Sequence, residues 1–142
     1  MLMAVYGTLR KGFGNYENYI KPAINSGKAK FIGKGKTEKK YTMHCAGIPF
    51  VIENEQTVNI VVEVYEINDY KVIDDIDKLE GHPDWYERRE VPIILDNGKK
   101  IKAWMYFYTS YESMSERMRK LDSYLLESGD YEDYWMEGWY DE

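Results

Sequence analysis

The sequence predicts an α+β fold, a small mixed β-barrel with flanking helices, formed by one domain over residues 1–142. Three observations carry that expectation. Strand-type alternation dominates from Lys28 to Ile67, an Asn-Gly turn joins two further strand-like runs after residue 90, and only a few helical stretches remain to cover them. Many short strands with few helices favour a sheet that curls and closes its own edges.

Taken in order, Leu2 to Tyr6 is a short apolar run stopped by Gly7, as expected of a buried strand entering a tight loop. Asn15 caps a short helix through Ile20 that Pro22 breaks. Val58, Ile60, Val62 and Val64 alternate with Asn59 and Glu63, so one face of that strand is buried and the other wetter. A helix covers Asn68 to Leu79. Glu90–Leu95 and Ile101–Tyr108 form a hairpin through Asp96-Asn97-Gly98-Lys99, because Asn-Gly supplies the positive φ angles of a type I′ turn. A last helix begins near Ser113, whose hydroxyl caps the amide of Glu116. Met114, Met118, Leu121 and Leu125 follow at helical spacing up to Gly129, and these are core positions rather than a cofactor box. Beyond them Tyr131, Tyr134, Trp135, Trp139 and Tyr140 are too dense for a disordered tail and suit a segment docked on the body.

A net charge of −6 argues against a nucleic-acid surface, which needs clustered Lys and Arg to displace counterions. Lys28, Lys30, Lys34, Lys36, Lys39 and Lys40 alternate with apolar or small residues and read as a solvated strand face. No run approaches the roughly 18 apolar residues of a membrane span. Met1–Val5 lacks a basic leader and reads as a first strand, which leaves the cytoplasm as the expected compartment, and a lone Cys45 agrees with it. His44 and His82 lack metal-ligand spacing, so neither metal nor cofactor is expected, and the oligomeric state is not legible.

Two places point to chemistry. On a wheel of the Asn68–Leu79 helix with Val72 at zero, Ile76 falls at about 40° and Ile73 at about 100°, and Glu80 at about 80° lies inside that apolar stripe. Asp74, Asp75 and Lys78 point away. Desolvation and the negative end of the helix dipole both push such a carboxylate's pKa upward, toward the range of a proton shuttle near neutral pH. The residues equally allow Glu80 to pair with an arginine of Glu87-Arg88-Arg89. His82, just past Gly81, is the rival base but reads as a loop residue. The second place is Val5-Tyr6-Gly7-Thr8-Leu9-Arg10, where a buried strand gives way to glycine and a hydroxyl. Amides exposed in such a turn form an anion-binding concavity, and glycine permits positive φ and close approach of a ligand.

These motifs together, Val5 to Arg10, then Ile76-Asp77-Lys78-Leu79-Glu80-Gly81 and Tyr86-Glu87-Arg88, resemble the γ-glutamyl cyclotransferase-like superfamily nearly end to end. Phe31-Ile32-Gly33-Lys34-Gly35, Gly47-Ile48-Pro49 and Val62-Glu63-Val64-Tyr65 are most similar to its γ-glutamylamine cyclotransferase branch. The resemblance implies a small β-barrel with flanking helices. It implies that Tyr6, Gly7, Thr8 and Leu9 line a γ-glutamyl pocket with Ile48 and Pro49 as wall positions, and that Glu80 is the acid/base. The partner it implies is a small-molecule γ-glutamyl substrate, closed to 5-oxoproline by attack of its own α-amine. Nucleophile and electrophile arrive on one molecule, so such chemistry requires no nucleophilic side chain and no metal. The second reading is a non-catalytic module on the same fold that binds a small carboxylate or presents its aromatic tail to a protein.

Overall fold

The computed structural model describes residues 1–46, 48–53, 56–82, 84–108 and 124–136. The order is β1 (Leu2–Val5), a π-helical turn (Tyr16–Ile20) running into α1 (Lys21–Asn25), β2 (Ala29–Ala46), β3 (Ile48–Ile52), β4 (Val58–Ile67), α2 (Tyr70–Glu80), β5 (Tyr86–Leu95), β6 (Lys100–Tyr108), β7 (Tyr124–Leu125) and α3 (Tyr131–Met136).

Five strands close a mixed barrel in the order β2-β4-β1-β6-β5 and back to β2. Neighbours are antiparallel except β1 and β6, which run parallel through Met3 and Trp104. The long β2 makes this possible by pairing with β4 over most of its length and with β5 only at Gly35–Thr37. Its register shifts at Phe31/Gly33 and Lys36/Lys40 are the bulges that bend a strand around a barrel. The buried Thr37 completes the second bulge: its hydroxyl accepts from Ile60 N–H at 2.8 Å and donates to the Lys39 carbonyl at 2.7 Å. β3 and β7 extend the sheet along the end of β2.

Alternation sorts the strands into two apolar layers. Ala4, Ile60, Val62, Val64, Ala103, Met105 and Phe107 belong to the cluster that also holds Ile93 and Leu95 across the barrel. Met3, Val5, Tyr65, Ile67, Tyr106 and Tyr108 belong to the other, where Ile20 and Ala23 of the first helical segment and Ile73 and Ile76 of α2 cover them. The lysines from Lys28 to Lys40 are exposed, as a solvated face requires.

The loop after β1 is tied to the C-terminal segment. Arg10 is almost fully buried, 2.7 Å from Asp130, 3.5 Å from Glu63 and 3.6 Å from Glu132. Three carboxylates around one guanidinium compensate its desolvation, and a buried charge stripped of its partners costs several kcal/mol, so this contact fixes where the loop runs. Tyr131 and Tyr134 sink into the barrel-side core, with Phe13 of the loop 5.3 Å from Tyr131. The docked aromatic segment is thus present over Tyr131–Trp135; Trp139 and Tyr140 lie outside the described residues.

Four expectations need correction. Pro22 does not end a helix but sits in the first turn of α1, where its missing N–H is not needed, and the preceding π turn carries the Lys21 N–H back to the Tyr16 carbonyl. Asn15 is no side-chain cap: its amide instead donates to the Thr8 hydroxyl at 2.7 Å. The β5–β6 hairpin is present, but Gly98 N–H bonds the Leu95 carbonyl and Leu95 N–H bonds the Lys99 carbonyl. That is the three-residue connection with Gly98 at φ 87°, not a two-residue type I′ turn. Of the last helix, Ser113, Met114, Met118 and Leu121 lie outside the described residues, and its expected end is strand: Leu125 pairs with His44 in β7.

Barrel closure depends on Gly35. A Cβ there would stand 2.4 Å from the Ile94 carbonyl oxygen and 2.9 Å from Leu95 Cα, whereas a Cβ at Gly33 would meet only the Leu95 side chain at 3.5 Å. Gly35→Ala is therefore expected to destabilise the protein by about 1–3 kcal/mol and Gly33→Ala by less than about 1 kcal/mol. Urea unfolding midpoints of the two variants check this ordering.

Candidate active site

The position of Glu80 is set by how α2 begins and ends. Asp69 caps the start, its carboxylate accepting from the Lys71 and Val72 N–H groups. At the other end Gly81 takes the left-handed conformation at φ 68°, Gly81 N–H bonds the Lys78 carbonyl and His82 N–H bonds the Asp77 carbonyl. This is the paired closing pattern that glycine allows, and it fixes Glu80 as the last helical residue. Ile73 and Ile76 bury the same face, while Lys71–Asp75 and Lys78–Asp74 are exposed pairs of little energetic weight.

Glu80 opens onto a cavity of about 250 Å³ between the end of β1, the start of β3, the end of α2 and the helix-side face of β5 and β6. Tyr6, Gly7, Thr8, Leu9, Ile48, Pro49 and Glu80, the candidate residues of the sequence, all line it. Asn15, Leu79, Tyr86 and Tyr106 complete most of its wall.

Burial pushes the Glu80 carboxyl up to about 7. The group makes no hydrogen bond or ion pair among the described residues, and the arginine that could have neutralised it is engaged elsewhere. Arg88 forks onto Asp77 at 3.0 and 3.2 Å and lies over the Trp104 ring at 5.3 Å, while Arg89 reaches Glu53 and Glu87. Tyr106 donates its phenolic hydrogen to Asp77 as well. Burial raises the phenols of Tyr6 and Tyr106 far above their ordinary range, and the charge of Glu80 adds to both. The His82 ring lies 6.4 Å from that of Tyr106, and its Nδ1 accepts from Arg88 N–H at 3.4 Å, so His82 braces the loop.

The loop supplies donors. Arg10 N–H closes a turn onto the Gly7 carbonyl at 2.9 Å, and the N–H groups of Gly7, Thr8 and Leu9 carry no hydrogen bond to the described residues. The Thr8 oxygen accepts from Asn15, and its hydroxyl hydrogen has no acceptor among the described residues. Gly7 is not among the glycines at positive φ, contrary to the reason expected for it. Its need is space: a Cβ would stand 2.6 Å from Pro49 Cγ. Cys45 is buried, and burial pushes its thiol up to about 12, which leaves it a packing residue. Among the described residues no group of three or more His, Cys, Asp or Glu could hold a metal ion, and no helix is long and apolar enough to cross a membrane.

Asp77, Arg88 and Tyr106 were not singled out as site residues. The signal for Tyr106 was the alternation of β6, which puts Trp104, Tyr106 and Tyr108 on the helix side. Asp77 gave no such signal, because its role comes from a contact between α2 and β5.

A small closed barrel whose cavity holds a carboxylate unpaired among the described residues together with a donor loop makes an enzyme-like site for a small polar molecule. The comparisons narrow the class: the model of the family "Gamma-glutamyl cyclotransferase, AIG2-like" matches residues 3–133, and the chain belongs to that family. It is 54% identical over 130 residues to "Putative gamma-glutamylcyclotransferase MJ1514" of Methanocaldococcus jannaschii, covering 92% of this chain and 94% of that one. It is 34% identical over 131 residues to "Gamma-glutamylaminecyclotransferase B" of Danio rerio, covering 87% and 67%. The crystal structure of an AIG2-like protein from Mus musculus shares the fold at a TM-score of 0.64 and 23% identity, covering 78% of each chain. Family and relatives together support a cyclotransferase acting on a small molecule.

The Gly7–Pro49 approach holds the loop against β3. Gly7→Ala is expected to cost about 1–3 kcal/mol of stability, and adding Pro49→Ala, which removes Cγ, should recover at least about 0.5 kcal/mol of it. A double-mutant cycle by urea unfolding measures that coupling, and strict additivity would contradict the contact.

Proposed function

We propose that the protein converts a γ-glutamyl amine or γ-glutamyl amino acid into 5-oxoproline and the free amine, in the cytoplasm and without metal or cofactor. The observation that carries this reading is the half-buried carboxylate of Glu80, without a hydrogen bond or ion pair among the described residues and pushed up to about 7 by desolvation, in the same cavity as the donors of Gly7–Leu9.

The substrate's α-carboxylate and γ-carbonyl oxygen are taken by the loop amides and the Thr8 hydroxyl, and its α-ammonium faces Glu80. Glu80 removes one proton from the ammonium. The freed lone pair attacks the γ-carbonyl carbon, the new C–N bond closes the five-membered ring, and loop donors receive the charge that develops on oxygen. Collapse breaks the original C–N bond as the proton held by Glu80 passes to the departing nitrogen, and the second proton of the ring nitrogen is taken by the regenerated Glu80 carboxylate and passed to the released amine, which leaves the neutral lactam and a protonated amine. A carboxyl that titrates near 7 suits both transfers at neutral pH. Tyr6, Ile48 and Pro49 contribute from the wall.

The test is release of 5-oxoproline from a panel of γ-glutamyl donors, with Glu80→Gln alongside. Wild type is expected to turn over at least one donor and Glu80→Gln to lose on the order of 10²–10⁴-fold in kcat without unfolding. Because the base must be ionised, kcat/KM should rise with pH through about 7. Near wild-type turnover by Glu80→Gln sinks the assignment, and binding of 5-oxoproline without turnover of any donor would favour a non-catalytic module.

A further inference from the structure

Three tyrosines line the cavity, and each gives its phenolic hydrogen to the protein. Tyr6 donates to the Tyr106 carbonyl at 3.0 Å, Tyr86 to the Pro49 carbonyl at 3.1 Å and Tyr106 to the Asp77 carboxylate. Carbonyls and carboxylates only accept, so chemistry fixes the direction of each bond. A phenol with its hydrogen engaged presents lone pairs alone.

Tyr106 differs from the other two in that its acceptor is itself clamped. Arg88 from β5 holds both Asp77 oxygens, with Trp104 beneath the guanidinium. Asp77 and Glu80 are three residues apart on α2, neighbours on one helix face. Asp77 takes the Tyr106 hydrogen, the Arg88 side chain bonds the same phenol and engages one of its lone pairs, and the charge of Glu80 acts on it as well, which leaves one lone pair to accept from a ligand.

We propose that Tyr106 is a substrate-binding residue whose oxygen, made acceptor-only by Asp77, receives an N–H of the substrate's α-ammonium beside Glu80, with Asp77 and Arg88 as positioning residues acting through it. The proposal rests on the γ-glutamyl reading of this cavity. An ammonium carries three donors and no acceptor. Glu80 alone would leave the nitrogen free to rotate, whereas a second acceptor fixes it, so that the lone pair freed by deprotonation aims at the γ-carbonyl. The cavity then has two polar halves: donors at Gly7–Leu9 for the carboxylate, acceptors at Glu80 and Tyr106 for the ammonium. That polarity admits an α-amino acid in one orientation. Without Asp77 the phenolic hydrogen would be free to rotate toward the ligand, and the oxygen would no longer be acceptor-only.

Calorimetric titration with two probes tests this. L-Glutamine carries the α-ammonium, whereas in 5-oxoproline the same nitrogen is a neutral lactam with a single N–H. Tyr106→Phe, which keeps the ring, is expected to weaken L-glutamine at least tenfold and 5-oxoproline less than threefold. Asp77→Leu should show the same selective loss, and Asp77→Asn, whose amide oxygen still accepts the Tyr106 hydrogen, should retain most of the affinity. Should Asp77→Leu fail to fold, the Tyr106→Phe comparison decides by itself. Equal losses for both probes, no loss for either, or no binding of millimolar L-glutamine by wild type would each overturn the proposal. A wild type that binds L-glutamine in this Tyr106-dependent way yet releases no 5-oxoproline would overturn the enzyme reading and uphold this one.

Discussion

A largely desolvated carboxylate with no cation beside it among the described residues is costly when charged, and the site is organised around that constraint. Glu80 is placed by a helix end that cannot shift: the glycine-closed turn at Gly81 and the buried Ile73 and Ile76 hold its register. The Arg88 guanidinium is held by Asp77 instead. Had Arg88 paired with Glu80, the attraction would have favoured the charged form and lowered its pKa, making a structural ion pair and a poor base at neutral pH. One arginine's choice between two carboxylates three residues apart therefore separates a salt bridge from a carboxyl that keeps its proton to near neutral pH.

The barrel brings the two halves of the site together. β1 and β6 lie side by side and parallel, so the donor loop leaving β1 and the helix-side tyrosine of β6 meet at one end of the sheet. Two close approaches hold this geometry: Gly35 against the β5 backbone, which lets β2 close the ring, and Gly7 against Pro49, which seats the loop on β3. Arg10 adds the third restraint by anchoring the far side of the same loop to Glu63, Asp130 and Glu132. The acidic C-terminal segment is in this way part of the scaffold of the cavity.

Much of this was legible in the chain. Period-two alternation in β4 and the hairpin of β5 and β6 reveal strands because burial on one face imposes the pattern. Glu80 is legible because a carboxylate inside an apolar helical stripe violates that pattern. What was not legible depends on pairs distant in sequence. The spacing of Glu87-Arg88-Arg89 left it open which acid on α2 an arginine would choose, and nothing local to Gly7 announces Pro49 as its neighbour. The turn at Asp96–Lys99 failed for a subtler reason: Asn-Gly serves two-residue and three-residue connections alike, and the register of the flanking strands decides between them. Pro22 misled because a proline that breaks a helix interior is accommodated in its first turn.

The cost of the Glu80 carboxylate can be measured without any substrate. Its carboxyl is raised from 4.5 to about 7 in the folded protein, so the native state keeps a proton that the unfolded chain has released. The sign follows: the stabilising contribution is fully present below the unfolded value and is lost as pH rises through about 7. Glu80→Gln has no such proton to lose. The difference in unfolding free energy between Glu80→Gln and wild type, from urea titrations at intervals from pH 4 to pH 8, should therefore grow with pH in favour of the variant. After allowance for solvent screening through the cavity mouth, its rise over that range should be about 2 kcal/mol, most of it between pH 5 and 7. A difference that stays constant across the range would show that Glu80 titrates normally and contradict the desolvation of its carboxyl.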